Sequence, residues 1–440
     1  MQDYFNSITA ALEGLVRPGE RYTSNFSAED SDFVRFNQNQ VRQAGHVVQR
    51  GVSVDLIEGK RHVSGAVTLS GDLETDKERL GELVRDLREK RAVVPEDPYL
   101  LISEEVKSGR RVAPNQLPDG REAVAEIQRA GQGRDLVGIY AAGGIHAGYA
   151  SSTGQRNWYS AYSYNFDWSF YHRADKAVKT SYAGFEWRGD EFNRKVRWAT
   201  EQLDVLKHPA KTISPGRYRV YLAPAALSDL VGILNWGGFG LKAHKTRQTP
   251  LLKLAAGETR LNPGVTLLEN TKEGIAPNFQ EAGFLKPDSV PLIQGGAYRE
   301  CLVSPRSARE YGVSTNGASG SEMAQSIDLG AGGVAVDKVL GELGTGLLIN
   351  NLWYLNYSDR SACRTTGMTR FATFWVEGGR IVAPLNVMRF DETIYRVLGE
   401  NLAGLTRERE MILDSSTYGG RSVESARLPG ALVDDFTLTL

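Results

Sequence analysis

The 440-residue sequence contains only two cysteines and six histidines, and neither set is clustered. Cys301 and Cys363 stand too far apart for a metal-binding or redox pair, which excludes a zinc ribbon, a Cys-x-x-Cys oxidoreductase and a disulfide scaffold. His46, His62, His146, His172, His208 and His244 never fall three or four residues from one another, so no helix offers two imidazoles on one side to a metal. Also missing is any apolar run of the about 18 residues needed to cross a membrane as a helix. The formal net charge of −1 excludes a general nucleic-acid-binding surface, because affinity for phosphate backbones rests on clustered cations. The N-terminal MQDYFNSITAALEGL reads as an amphipathic helix with acids at Asp3 and Glu13, not as the basic-then-apolar pattern of a secretory signal. Free thiols, no signal and no span imply a soluble protein of the cytoplasm.

What is present is ordinary globular composition, 41% hydrophobic and 24% charged, over a length that supports two or three cores. The expected fold is α+β in two domains. Residues 1–207 should form a curved sheet with helices, and residues 217–440 a mainly antiparallel β domain with helices. Short strand-like runs at 20–26, 31–37, 41–49, 51–57 and 61–69 suggest a meander. A helix follows, capped by Thr75 or Asp76, with Leu80, Leu83, Val84 and Leu87 on one side. A second helix over 120–130 precedes strands at 135–142 and 146–151. Next, Tyr162, Tyr164, Phe166, Trp168 and Phe170 alternate with polar residues, so five aromatics share one strand face. Covered by helices that face is core; left open it is an aromatic wall for a peptide. A helix over 190–206 closes this half, and the Pro- and Gly-bearing stretch 207–216 reads as a linker.

The second half opens with a strand at 218–222 and the helix PAALSDLVGILNW at 224–236. Pro224 suits its first turn, Leu227, Leu230, Val231 and Leu234 form its apolar stripe, and Asp229 is its only acid. The longest loop is expected at 317–333. From Gly341 to Pro384 the sequence reads as an apolar strand, a polar loop, a second strand and a Gly-Gly hairpin into a third. A strand and short helix at 299–312 come before it, and a strand and helical run at 386–409 come after it.

This order of elements, with the words GTGLL, TTG and EGGRI, resembles the C-terminal half of the TldD/PmbA family of peptide-processing proteins. The catalytic branch of that family carries His-Glu-x-x-x-His on a helix and a cysteine near the C-terminus, which together hold zinc. Here the matching helix at 224–236 has no histidine, and Tyr418-Gly419-Gly420 stands where the cysteine is expected. The resemblance therefore implies the PmbA branch, also called TldE: a chain with no cofactor and no catalytic residue of its own. Zinc would sit on a TldD-like partner. The implied role is a metal-free subunit of a zinc protease that handles unfolded peptides, contributing substrate binding and closure of a shared chamber, as a dimer with a TldD-like chain or with itself. Two other readings stand beside it: a homodimeric peptide-binding or regulatory protein without protease activity, and a stand-alone hydrolase using Cys363.

Two groups of residues are candidates for substrate contact. Gly344, Thr345 and Gly346 supply a tight turn where backbone can approach a peptide closely; the glycines complete neither a dinucleotide fingerprint nor a phosphate loop. In the loop from Asp359 to Gly367, Arg360 and Arg364 could fork onto a peptide carboxylate, with Thr366 and Gly367 beside them. The same arginines flank Cys363 and could lower its thiol pKa, which the hydrolase reading needs. His244 is the histidine nearest the zinc-type helix and reads as a solvent-facing loop residue. Asp434, Asp435, Glu408 and Glu410 read as solvated acids.

Overall fold

A computed structural model of the chain describes residues 1–173, 176–417 and 419–440. Its first half runs α1 (Gln2–Leu15), β1 (Arg21–Asn37), β2 (Gln40–Glu58), β3 (Arg61–Leu69), α2 (Leu73–Arg91), β4 (Gly109–Val112), α3 (Gly120–Ala130), β5 (Asp135–Ser151), β6 (Arg156–Arg173), β7 (Lys176–Gly184) and α4 (Gly189–Leu206). The seven strands form one sheet in the order β3-β2-β1-β5-β6-β4, with β7 also paired to β6. The four short runs expected between residues 20 and 57 are two long strands joined at Gln38 and Asn39. Both of these residues have positive φ, as a two-residue hairpin of this twist requires. Similarly, 135–142 and 146–151 belong to one strand.

Helix α2 is capped by Asp72, three residues before the first of the expected caps; its side chain accepts a hydrogen bond from the Thr75 amide at 2.9 Å. Asp76 is instead fully buried. It accepts from the Ser70 and Gly71 amides and from the Tyr4 hydroxyl, tying α1 to the start of α2. Five aromatics do share a face of β6. Tyr164, Phe166, Trp168 and Phe170 are buried beneath Ile127 of α3 and Phe192, Val196 and Leu203 of α4. That strand is core, and the aromatic-wall reading falls for those four residues.

The second half runs β8 (Gly216–Leu222), α5 (Pro224–Asn235), α6 (Leu241–Lys245), α7 (Leu252–Ala255), β9 (Leu267–Glu269), β10 (Val290–Gln294), β11 (Ala297–Tyr298), α8 (Pro305–Tyr311), β12 (Ser326–Leu329), α9 (Val339–Leu343), β13 (Gly346–Asp359), β14 (Arg364–Glu377), β15 (Arg380–Pro384), β16 (Arg389–Thr393), β17 (Leu402–Leu413) and β18 (Ser425–Leu438). Most pairs are antiparallel; β12–β18 and β13–β8 are parallel. The pairing β18-β16-β14-β13-β8 returns from β8 to β18, so these five strands close into a ring. Two expectations fail here. The helical run to residue 409 is a single π turn at Arg396–Glu400 followed by strand β17, and the long loop at 317–333 contains strand β12.

The two halves share apolar core. The cluster around Trp168 continues through Tyr221, Leu348, Phe374 and Leu432 of the C-terminal sheet. On the opposite face of the N-terminal sheet lies the stretch from Gly419 that leads into β18. From it Arg421 is inserted, donating to the Gly143 carbonyl at 3.2 Å, the Ser163 carbonyl at 2.9 Å and the Ser163 hydroxyl at 2.6 Å. The Arg421 amide donates to the buried Glu29 carboxylate at 3.1 Å.

Candidate functional site

Helix α5 forms where the sequence places it, with Pro224 in its first turn and Leu227, Leu230, Val231 and Leu234 packed into the C-terminal core. Its other side faces the outer half of β13, which β8 pairs only as far as Ile349. There the carboxylate of Asp229 accepts from the Leu352 amide at 3.0 Å, and the Tyr357 hydroxyl donates to the Ile233 carbonyl at 2.8 Å. Burial pushes the Asp229 carboxyl up to about 7, the largest effect on it, against the lowering pull of the Leu352 amide and of Lys179.

The sign of the pH effect follows. A folded-state pKa above the ordinary carboxylate value means that Asp229 lowers stability progressively as pH rises from about 4 to its folded value, and no further above it. Asp229→Asn keeps an acceptor for Leu352 and removes that cost. It is expected to stabilise the chain at about pH 8 and to change little near pH 4, as thermal denaturation at the two pH values would show.

Beside this helix the surface is aromatic. Trp236, Trp353 and Tyr354 are 54%, 48% and 80% exposed, and Tyr354 holds a positive φ that a bulky residue adopts only at a cost. Arg370 lies over the rings of Trp353 and Phe371, and Lys179 from β7 lies over Phe371 while reaching Asp167 at 3.5 Å. Beside α5, then, is an aromatic surface with two cations, Arg370 and Lys179, over its rings. Sequence reasoning missed it, because the run LWYL in β13 looks like core; the alternation breaks at three bulges, one of them around Tyr354.

The residues expected to touch substrate are not brought together. Gly346 and Asp359 are the two ends of β13, roughly 40 Å apart along an extended strand. Gly344 has a φ of +67° and ends α9, and the Thr345 hydroxyl accepts from the Gly378 amide at 3.4 Å. Gly346 is there for close packing, since a Cβ would lie 2.3 Å from the Arg219 carbonyl. At the other end, Asp359 organises the turn by accepting from the Ser361 and Ala362 amides at 2.9 and 3.1 Å. Arg360 donates to the Gln248 and Trp236 carbonyls at 2.6 and 2.9 Å, and Arg364 pairs with Asp391 at 3.3 Å. The Thr366 hydroxyl donates to the Phe390 carbonyl at 2.9 Å, and Gly367 packs under the Phe390 ring. As a carboxylate fork, the arginines are already committed.

Cys363 is fully buried in the C-terminal core, and burial pushes its thiol up to about 12, outweighing Arg360. The reactive-thiolate reading is corrected: the same arginine that suggested activation donates to carbonyls while the sulfur is desolvated. In the folded chain at about pH 8, Cys363 is expected to resist iodoacetamide, with labelling of that residue only on unfolding. Peptide mapping by mass spectrometry checks this.

His244 also departs from expectation. It lies on α6, half-buried, with Nε2 at 2.8 Å from the Gly238 carbonyl and its ring against Tyr298. Asp435 is ion-paired to Arg396 at 2.9 Å and Arg217 at 3.3 Å, Asp434 to Arg219 at 3.0 Å, and Glu410 to Lys195 at 2.6 Å. These acids join elements; they are not merely solvated.

For a zinc ion the donor set does not fit. Helix α5 presents Asp229 alone, and among the described residues no three His, Cys, Asp or Glu side chains converge. Tyr418 lies outside the described residues, and its neighbours Gly419 and Gly420 have no side-chain donor.

The profile of the PmbA/TldA metallopeptidase C-terminal domain matches residues 215–440. The chain belongs to the TldD/PmbA family. Solved structures agree in fold. TldE from Thermococcus kodakarensis superposes with a TM-score of 0.78 at 12% identity, over 99% of this chain and 100% of that one. A candidate modulator of a DNA gyrase from Thermotoga maritima gives 0.76 at 14%, over the whole of both chains. One from Bacteroides thetaiotaomicron gives 0.72 at 14%, over 100% of this chain and 98% of that one. A search of curated proteins by sequence finds no match. Among the described residues no helix is long and apolar enough to cross a membrane.

Proposed function

We propose that this TldD/PmbA-family chain is a metal-free, TldE-like subunit that pairs with a TldD-like zinc subunit in the cytoplasm, as two domains of residues 1–207 and 217–440. It holds unfolded peptide and closes the shared chamber while the partner supplies the zinc. One observation carries the reading: the helix that would bear the zinc histidines in catalytic relatives forms here as α5, but holds no histidine and a single acid, Asp229. Fold likeness to a protein called TldE supports the same branch. Peptide contact is assigned to the α5–β13 wall, where exposed Trp236, Trp353 and Tyr354 offer stacking and apolar contact to an extended chain.

The test is elemental analysis together with a peptidase assay. The purified chain is expected to hold less than about one tenth of an equivalent of tightly bound zinc, since such sites need three or four protein ligands, and to cleave no peptide alone. Near-stoichiometric zinc, or metal-dependent cleavage by the chain alone, would overturn the reading.

A further inference from the structure

A cavity lies away from α5, at the rim where the two halves meet. It encloses about 630 Å³, within the range of sites that take small molecules or short peptide ends. One side is built by the start of β1, the β2–β3 turn and residues 100–107; the other by residues 284–285 and α8. The walls are fixed to each other. The Ser103 amide donates to the Ala282 carbonyl at 2.8 Å, Asn25 donates to the Glu281 carbonyl at 3.0 Å, and Arg306 of α8 pairs with Asp97. The site is therefore preformed, and a ligand would not have to order it.

Its chemistry is amphipathic and cationic. Leu100, Leu101, Phe284 and Leu285 line it with apolar surface. Around them stand four cations, Arg21, Lys60, Lys107 and Arg309, against two carboxylates, Glu104 and Glu105. The carboxylates are used locally: Glu104 pairs with Arg21 at 3.3 Å and Glu105 with Lys107 at 2.8 Å. Lys60 and Arg309 have no ion-pair partner among the described residues. Two uncompensated cations beside a leucine- and phenylalanine-lined cavity are the complement of one ligand chemistry, an anionic group attached to apolar side chains.

We infer that this cavity binds the free C-terminal carboxylate of a peptide ending in apolar residues, with Lys60 and Arg309 on the carboxylate and the leucines around the last side chains. The identity of the ligand as peptide rests on the function proposed above; the cavity and its charge do not. The site would set which end of a peptide this subunit holds.

The probe is Gly-Ser-Gly-Ser-Leu-Leu carrying fluorescein on its amino terminus, as free acid and as C-terminal amide, with binding to the full chain read by anisotropy. The acid is expected to bind at least about ten-fold more tightly than the amide, with a preference that shrinks as salt rises. The double variant Lys60→Glu/Arg309→Glu, both positions being exposed, is expected to lose that preference with an unchanged melting temperature. Equal binding of acid and amide by the unmodified chain overturns the inference, as does a preference that survives the double substitution. Displacement of the acid peptide by decanoate at equal concentration overturns the peptide assignment in favour of a fatty acid. A carboxylate preference in a chain that assembles with no zinc subunit sinks the proposed function and leaves this site standing; assembly and peptide trimming without the preference do the reverse.

Discussion

Trp168→Ala is expected to destabilise the chain by roughly 3–5 kcal/mol, the cost of removing a large aromatic from a core that cannot fully collapse. The side chain is fully buried, stacked on Phe166 at 4.6 Å between centroids and edge-on to Phe192 at 5.7 Å. The loss would be felt in both halves, because this core continues into Leu348 and Phe374 of the C-terminal sheet. Trp168→Phe should be far milder, about 1 kcal/mol or less. The indole nitrogen is buried without a hydrogen-bond partner, so the smaller ring gives up packing but removes an unsatisfied donor. Urea denaturation of the two variants measures the contrast. A Trp168→Ala protein of unchanged stability with impaired peptide binding would restore the aromatic-wall reading.

The second large effect is at Arg421. Its guanidinium is desolvated, which lowers its pKa to about 10, so it remains charged at neutral pH. It is held by carbonyl and hydroxyl oxygens of Gly143 and Ser163, with Glu29 adding favourable charge nearby. Removing this desolvated cation leaves those acceptors unpaired and takes away the charge near Glu29, whose carboxylate would keep the hydrogen bonds from Gln49 and from the residue 421 amide. Arg421→Ala is expected to cost roughly 3–5 kcal/mol and to release the stretch that leads from Gly419 into β18 from the N-terminal sheet. Limited proteolysis, followed by mass spectrometry of the cut sites, should show new cleavage between residues 419 and 424. Arg421→Lys keeps the charge but not the fork, and should be intermediate. Proteolysis of Arg421→Ala at the unmodified chain's rate would show that the segment is held by its other contacts.

Much of this architecture was legible in the chain. Strong local signals worked: Pro224 with the Leu227–Leu234 stripe for α5, the alternating aromatics of β6, and Gly378-Gly379 at positive φ for the β14–β15 turn. Failures came where tertiary pairing overrides local preference. Residues 402–413 are rich in Leu, Arg and Glu, good helix formers, yet pairing with β18 draws them into a strand. Strand β12 is only four residues long and exists because β9 and β18 flank it. In the candidate site, the missing histidines of α5 were visible from composition alone. The aromatic surface beside it was not, because Lys179, Arg370 and Trp353 come from three strands in two halves of the chain and meet only on folding. Likewise Cys363 and its arginines are neighbours in sequence but point to different surroundings, one into the core and the others onto carbonyls and Asp391.

The central claim is that this chain completes a zinc peptidase without carrying its zinc. Affinity purification of the tagged protein from its native host, with mass spectrometry of the co-purifying chains, tests it most directly. The expected result is a roughly stoichiometric second chain of the same family carrying His-Glu-x-x-x-His, with zinc in the complex at about one equivalent per pair. Recovery of a homodimer alone, with no such chain at any salt concentration, would contradict it.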